Sequence, residues 1–138
     1  MTWDEVFRKR RGQLAAVAEA VRAQLPAVQV LGPRRIRRDR GFEAYVSFVW
    51  STDREWDDLV IWVRCTPGVG DQADDRLSLV IEVSGVDDLP GLAPERIPYR
   101  RDDPRYWSAV DTFMDRVTKE LERLTPQIVG TLRANREM

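Results

Sequence analysis

Between Phe42 and Val83 the chain runs three times through the same pattern, with every second residue apolar. Phe42, Ala44, Val46, Phe48 and Trp50 alternate in the first run, Leu59, Ile61, Val63 and Cys65 in the second, and Leu77, Leu79, Ile81 and Val83 in the third. A period of two places each set on one face of a strand. The connections Ser51–Trp56 and Pro67–Arg76 are polar or glycine-bearing and too short for the helix that a parallel crossover needs. Three antiparallel neighbours in a meander follow. A weaker run, Val28–Leu31, precedes them across the Arg38–Gly41 connection, and it extends through Pro33 to Ile36 only as an edge strand. The expected sheet therefore has four strands.

On either side of the meander the period changes from two to 3.6. Thr2-Trp3-Asp4-Glu5 reads as a capping box, after which Trp3, Val6, Phe7, Leu14, Val17, Val21 and Leu25 recur at helical spacing. The basic run Arg8–Arg11 interrupts that stripe, and Pro26 ends the helix. Near the C-terminus, Asp103-Pro104 suits an N-cap followed by proline in the first turn. Val110, Met114, Val117, Leu121, Leu124 and Ile128 then form a continuous apolar stripe, which fits packing along a sheet better than a short coiled-coil seam. Thr125-Pro126 is expected to kink this helix or cap a separate terminal one. The fold class is α+β: an N-terminal helix, a four-stranded antiparallel meander, a long loop, and a C-terminal helix packed on the sheet. A chain of 138 residues fits a single domain, 1–138.

Composition narrows the function classes. Hydrophobic residues at 43% and charged residues at 33% exclude a disordered tail. The longest apolar runs, Leu59–Val63 and Leu79–Ile81, fall far short of the roughly 20 residues a spanning helix needs. Met1–Arg11 places Asp4 and Glu5 before its basic run, with no apolar stretch after it, so no secretory leader is expected. One cysteine, Cys65, cannot form an internal disulfide, which fits a reducing, cytoplasmic setting. Histidine is absent. Ser-His-Asp or Cys-His catalysis and histidine-ligated metal centres are thereby excluded within this chain.

Net charge is −1 but unevenly spread: residues 1–40 carry +6, residues 41–90 carry −8 and the remainder +1. Internal compensation accounts for that pattern without a charged ligand. Arg8-Lys9-Arg10-Arg11 and Arg34-Arg35-Ile36-Arg37-Arg38 with Arg40 resemble phosphate-contacting clusters, the third functional reading. No nucleic-acid-binding motif accompanies them and the acidic meander opposes a duplex, so a nucleic-acid partner is disfavoured.

The remaining candidates lie on two surfaces. Tyr45, Val49, Val60, Trp62 and Val80 point away from the core face of the meander, where polar residues belong on a solvated sheet. Either a helix or the long loop covers them, or they form an interface with a protein partner or a second copy, anchored by Trp62 and Tyr45. The segment Asp87–Asp103 is long for a connection and holds Pro90, Pro94 and Pro98. Its Tyr99, Arg100 and Arg101, with Arg105, Tyr106 and Trp107, suit an anion or an acidic partner, as do Arg34, Arg35, Arg37 and Arg38. The plainer alternative is that Tyr99 and Trp107 pin the loop to the core.

Other motifs fail on inspection. An EF-hand frame begun at Asp71 places Asp75 and Glu82 in register but has Ala73 and Arg76 where a ligand and glycine belong. Gly68-Val69-Gly70 precedes no helix, so no phosphate cradle is expected. Cys65 reads as a small buried hydrophobe. No catalytic residue, metal or cofactor is assigned. The leading expectation is a small non-catalytic protein-binding or accessory protein. Its helix–meander–helix layout is shared by secretion chaperones, toxin-neutralising proteins and subunits of larger complexes. The alternative is a small-ligand binder or histidine-free enzyme using Arg, Tyr and carboxylates of the 87–107 segment.

Overall fold

The computed structural model describes residues 1–37, 41–50, 58–70, 74–85 and 87–136. Helix α1 spans Trp3–Gln24, strands β1 to β5 span Gln29–Arg37, Phe42–Val49, Asp58–Thr66, Asp75–Val83 and Leu89–Ile97, and helix α2 spans Pro104–Arg136. The strands pair antiparallel in chain order. The class is α+β, as the period changes imply, with five strands in place of four.

The start signals behave as their chemistry requires. Thr2 caps α1, its Oγ1 accepting the Glu5 N–H at 3.2 Å, and the Leu25 N–H closes the other end on the Val21 carbonyl at 2.8 Å. Asp103 caps α2, Oδ1 accepting the Arg105 N–H at 2.9 Å. Helix α2 runs on through Pro126 as one element, so no separate terminal helix begins there. The Thr125 hydroxyl donates to the Leu121 carbonyl at 2.7 Å in the turn before the proline.

The extra strand occupies much of the expected long loop. β5 carries two prolines, and its pairing with β4 shifts register twice. An ideal Cβ on Gly91 would stand 2.0 Å from the Leu79 carbonyl oxygen, so only glycine permits this approach of β5 to β4. At the opposite edge β1 runs past Pro33 to Arg37, with a register shift between Leu31 and Arg34. Gly32 sits at that shift with φ +93°, and an added Cβ would lie 2.6 Å from the Tyr45 carbonyl oxygen.

Both helices lie on one face of the sheet. α1 packs against β1 and β2, α2 against β4 and β5, and the helices against each other. Phe42, Val46 and Phe48 of β2, Leu59 and Ile61 of β3, and Leu79 and Ile81 of β4 are buried against Val6, Val17 and Val21 of α1 and Val110, Leu121 and Ile128 of α2. Trp3 stacks on Phe42 with ring centroids 4.7 Å apart. Arg10, in the basic run that interrupts the α1 stripe, is itself buried: Nη1 donates to Asp115 at 2.6 Å and Nη2 to Asp111 at 3.1 Å. Among the described residues, no helix is long and apolar enough to cross a membrane.

Candidate functional site: the outer sheet face

Strand alternation fixes what the helix-free face presents. Register aligns Arg34, Tyr45, Trp62 and Val80 in one row across β1 to β4, and Leu31, Ser47, Val60 and Glu82 in the next. On the other side of the central row stand Ile36, Glu43, Arg64 and Ser78. No helix of the described residues covers these side chains, and β5 widens the sheet beside them. Of the covers expected from within the chain, neither helix takes this place, and most of the Asp87–Asp103 segment is β5, paired to β4 at the sheet edge.

Tyr45, Val49, Val60, Trp62 and Val80 are each half-buried, and all five come together on this face. The Tyr45 and Trp62 rings meet with centroids 5.1 Å apart. The Arg64 guanidinium lies over the Trp62 ring, 4.5 Å from its centroid, and pairs with Glu43 at 3.7 Å and Glu82 at 3.9 Å. The indole N–H of Trp62 is shielded from solvent and has no acceptor among the described residues. An unmet buried donor costs about 1–3 kcal/mol. Leu31, in the row beside Tyr45, is the most exposed large apolar side chain of the face, at 37%. Sequence reasoning passed over Leu31 and Ile36, because their outward orientation depends on the register shift at Gly32.

The candidate cations do not converge. Arg34 stands exposed on the outer face, whereas Arg35 points to the helix side, pairs with Asp4 and lies 5.4 Å from the Phe42 ring centroid. The side chain of Arg37, and Arg38 with Arg40, fall outside the described residues. In the other basic run Lys9 reaches Asp111 at 3.4 Å beside the buried Arg10 pair.

The turn between β5 and α2 holds the second set. Tyr99 and Trp107 pack against the core, and Arg105 lies over Tyr99 at 4.6 Å. Arg100 is exposed. Arg101 donates to Asp75 Oδ2 at 3.1 Å, where the Tyr106 hydroxyl also donates at 2.7 Å; Gly68 N–H reaches Oδ1 at 3.1 Å. Burial pushes the Asp75 carboxyl up, but the hydrogen bonds from Tyr106, Gly68 and Arg101 outweigh it and hold the group below its ordinary range. Cys65 lies 3.7 Å from the Tyr106 oxygen, and burial pushes its thiol up to about 11. A protonated thiol is a poor nucleophile. A cleft of about 510 Å³ opens beside this corner, with Arg101, Asp102, Trp107 and Asp111 in its lining. Tyr106 itself is buried, turned to the core. Asp74 pairs with Arg96 at 2.8 Å, and Asp71 falls outside the described residues. Among the described residues no three potential ligands gather into a metal site.

Among the described residues, fold and site together define a two-layer α+β protein with one helix-covered and one helix-free sheet face. Comparison with models of protein families, with curated proteins and with solved structures finds no match to this chain.

Proposed function

We propose that this chain is a small binding protein that docks a protein partner on the outer face of its sheet. The observation that carries this reading is the row Tyr45–Trp62–Val80 at the centre of a sheet whose helices both lie on the opposite side. Two contacting aromatics flanked by Leu31, Val60 and Ile36 offer the anchor type that dominates interface energetics, and the surrounding Arg34, Glu43, Arg64 and Glu82 supply a polar rim. Within the 87–107 segment, Glu95, Arg96, Arg101 and the Asp103–Arg105 pair are by contrast engaged in ion pairs inside the chain.

The test is recovery of bound protein from the source cells with three baits: the unaltered chain, Trp62→Glu, and Lys119→Glu on the exposed side of α2. The expected result is a partner retained by Lys119→Glu and lost by Trp62→Glu. An identical set of proteins on all three baits removes the reading.

A further inference from the structure

Resting on the docking face just proposed, we infer that its occupant is a second copy of this chain, related by a two-fold axis that runs across the strands along the row Tyr45–Trp62–Val80. The edges of the sheet point to the face as the joining surface. β1 contains Pro33, and β5 contains Pro90 and Pro94, residues that offer no N–H to an added strand. Five strands about 4.8 Å apart and some 30 Å long make a face of roughly 700 Å². That approaches the roughly 800 Å² per partner of a standard stable interface.

Charge along the strands selects the arrangement. Among the described residues, Arg64, Arg76 and Arg96 outnumber Glu43 and Asp74 at one end of the face, and Glu82 and Asp58 stand at the other. An axis parallel to the strands would lay each end on its like, Arg64 upon Arg64. An axis across the strands lays each end on its opposite. Arg64 then falls beside Glu82 of the partner subunit, and Ile36 over the partner subunit's Leu31. Arg34 meets its own copy only at the sheet edge, where it is exposed to solvent. Strands of the two copies run nearly aligned, the common geometry of packed sheets. A patch facing itself across a two-fold closes after two subunits.

The experiment is sedimentation equilibrium of the full chain across the micromolar range. The unaltered chain should dimerise, and Trp62→Glu should be monomeric with an unchanged far-ultraviolet circular dichroism spectrum. If Trp62→Glu misfolds, Val60→Glu serves instead. Arg64→Glu and Glu82→Arg should each weaken self-association at least about tenfold. Mixed in equal amounts, the two variants should associate with each other, because only opposite charges then face across the seam. The intramolecular Arg64–Glu82 pair stays broken in both chains, so it cannot account for that rescue. A monomer at every concentration, a dimer indifferent to Trp62→Glu, or a mixture that stays monomeric overturns the inference. A monomer that still loses a different protein on Trp62→Glu removes the second copy and leaves the docking face standing.

Discussion

The hydroxyl of Tyr106 donates to Asp75 Oδ2 across 2.7 Å, joining the first turn of α2 to the first residue of β4. The bond stands at the sheet end where Arg101 and the Gly68 amide converge on the same carboxylate. Tyr106→Phe keeps the ring packing and deletes the hydroxyl alone, with this bond and its weaker contact to Cys65. A hydrogen bond to a charged group contributes about 1.5–3 kcal/mol, and a loss of that size should appear in urea unfolding.

The same carboxylate imposes a pH dependence. Asp75 binds its proton less readily folded than unfolded, so its contribution to stability is complete above the ordinary carboxylate value and fades as pH falls through and below it. Asp75→Asn should therefore destabilise the protein at neutral pH. The gap between variant and unaltered midpoints should close below about pH 4. A gap that is constant with pH would show that the charge is irrelevant there.

Arg10 should be more sensitive than its partners. Its side chain is 8% exposed whereas Asp115 is 64% exposed, so the arginine gives up solvent on folding and the aspartate hardly does. Arg10→Ala removes a buried stem and an interhelical tie and should cost about 2–4 kcal/mol. Asp115→Ala leaves Arg10 bonded to Asp111 and should cost about 1 kcal/mol or less in the same denaturation assay.

Two glycine replacements should act in opposite directions. Gly91→Ala drives a methyl group into the Leu79 carbonyl and should destabilise by about 1–3 kcal/mol, with loss of amide-exchange protection along β5. Gly130, inside α2, has nothing within 4 Å of an added Cβ. Gly130→Ala should raise stability by about 0.5–1 kcal/mol, since alanine restricts the unfolded chain and favours the helix.

Cys65 should be silent in the folded protein. It is 3% exposed and its thiol is raised to about 11, so little thiolate forms near pH 8. Alkylation by iodoacetamide should track unfolding across a urea titration. Rapid labelling under native conditions would contradict the buried placement.

What was readable in the chain were the elements whose periodicity is local. Strands β2 to β4 follow from the alternation Phe42–Phe48, Leu59–Cys65 and Leu77–Val83, and the caps at Thr2 and Asp103 follow from their own turn chemistry. β5 was hidden because Leu89-Pro90-Gly91-Leu92 breaks alternation, and only an edge position beside a close backbone approach makes it a strand. The course of α2 past Pro126 depends on the packing of Leu121, Leu124 and Ile128, which local rules for proline do not weigh. The outward residues Tyr45, Trp62 and Val80 were legible, but which side both helices take is decided by contacts between elements far apart in sequence. The burial of Arg10 was equally invisible, since its partners Asp111 and Asp115 lie about a hundred residues away.

The prolines at the two margins of the sheet also bear on how this molecule behaves in a crowd. A flat sheet with two open margins is a monomer unit for filaments, since each added chain recreates the margin it consumed. Here Pro33 interrupts one margin and Pro90 and Pro94 the other, so growth by lengthening the sheet stalls at both ends. The two-fold contact proposed for the broad face closes after two subunits, so pairing there would not by itself lead to fibres.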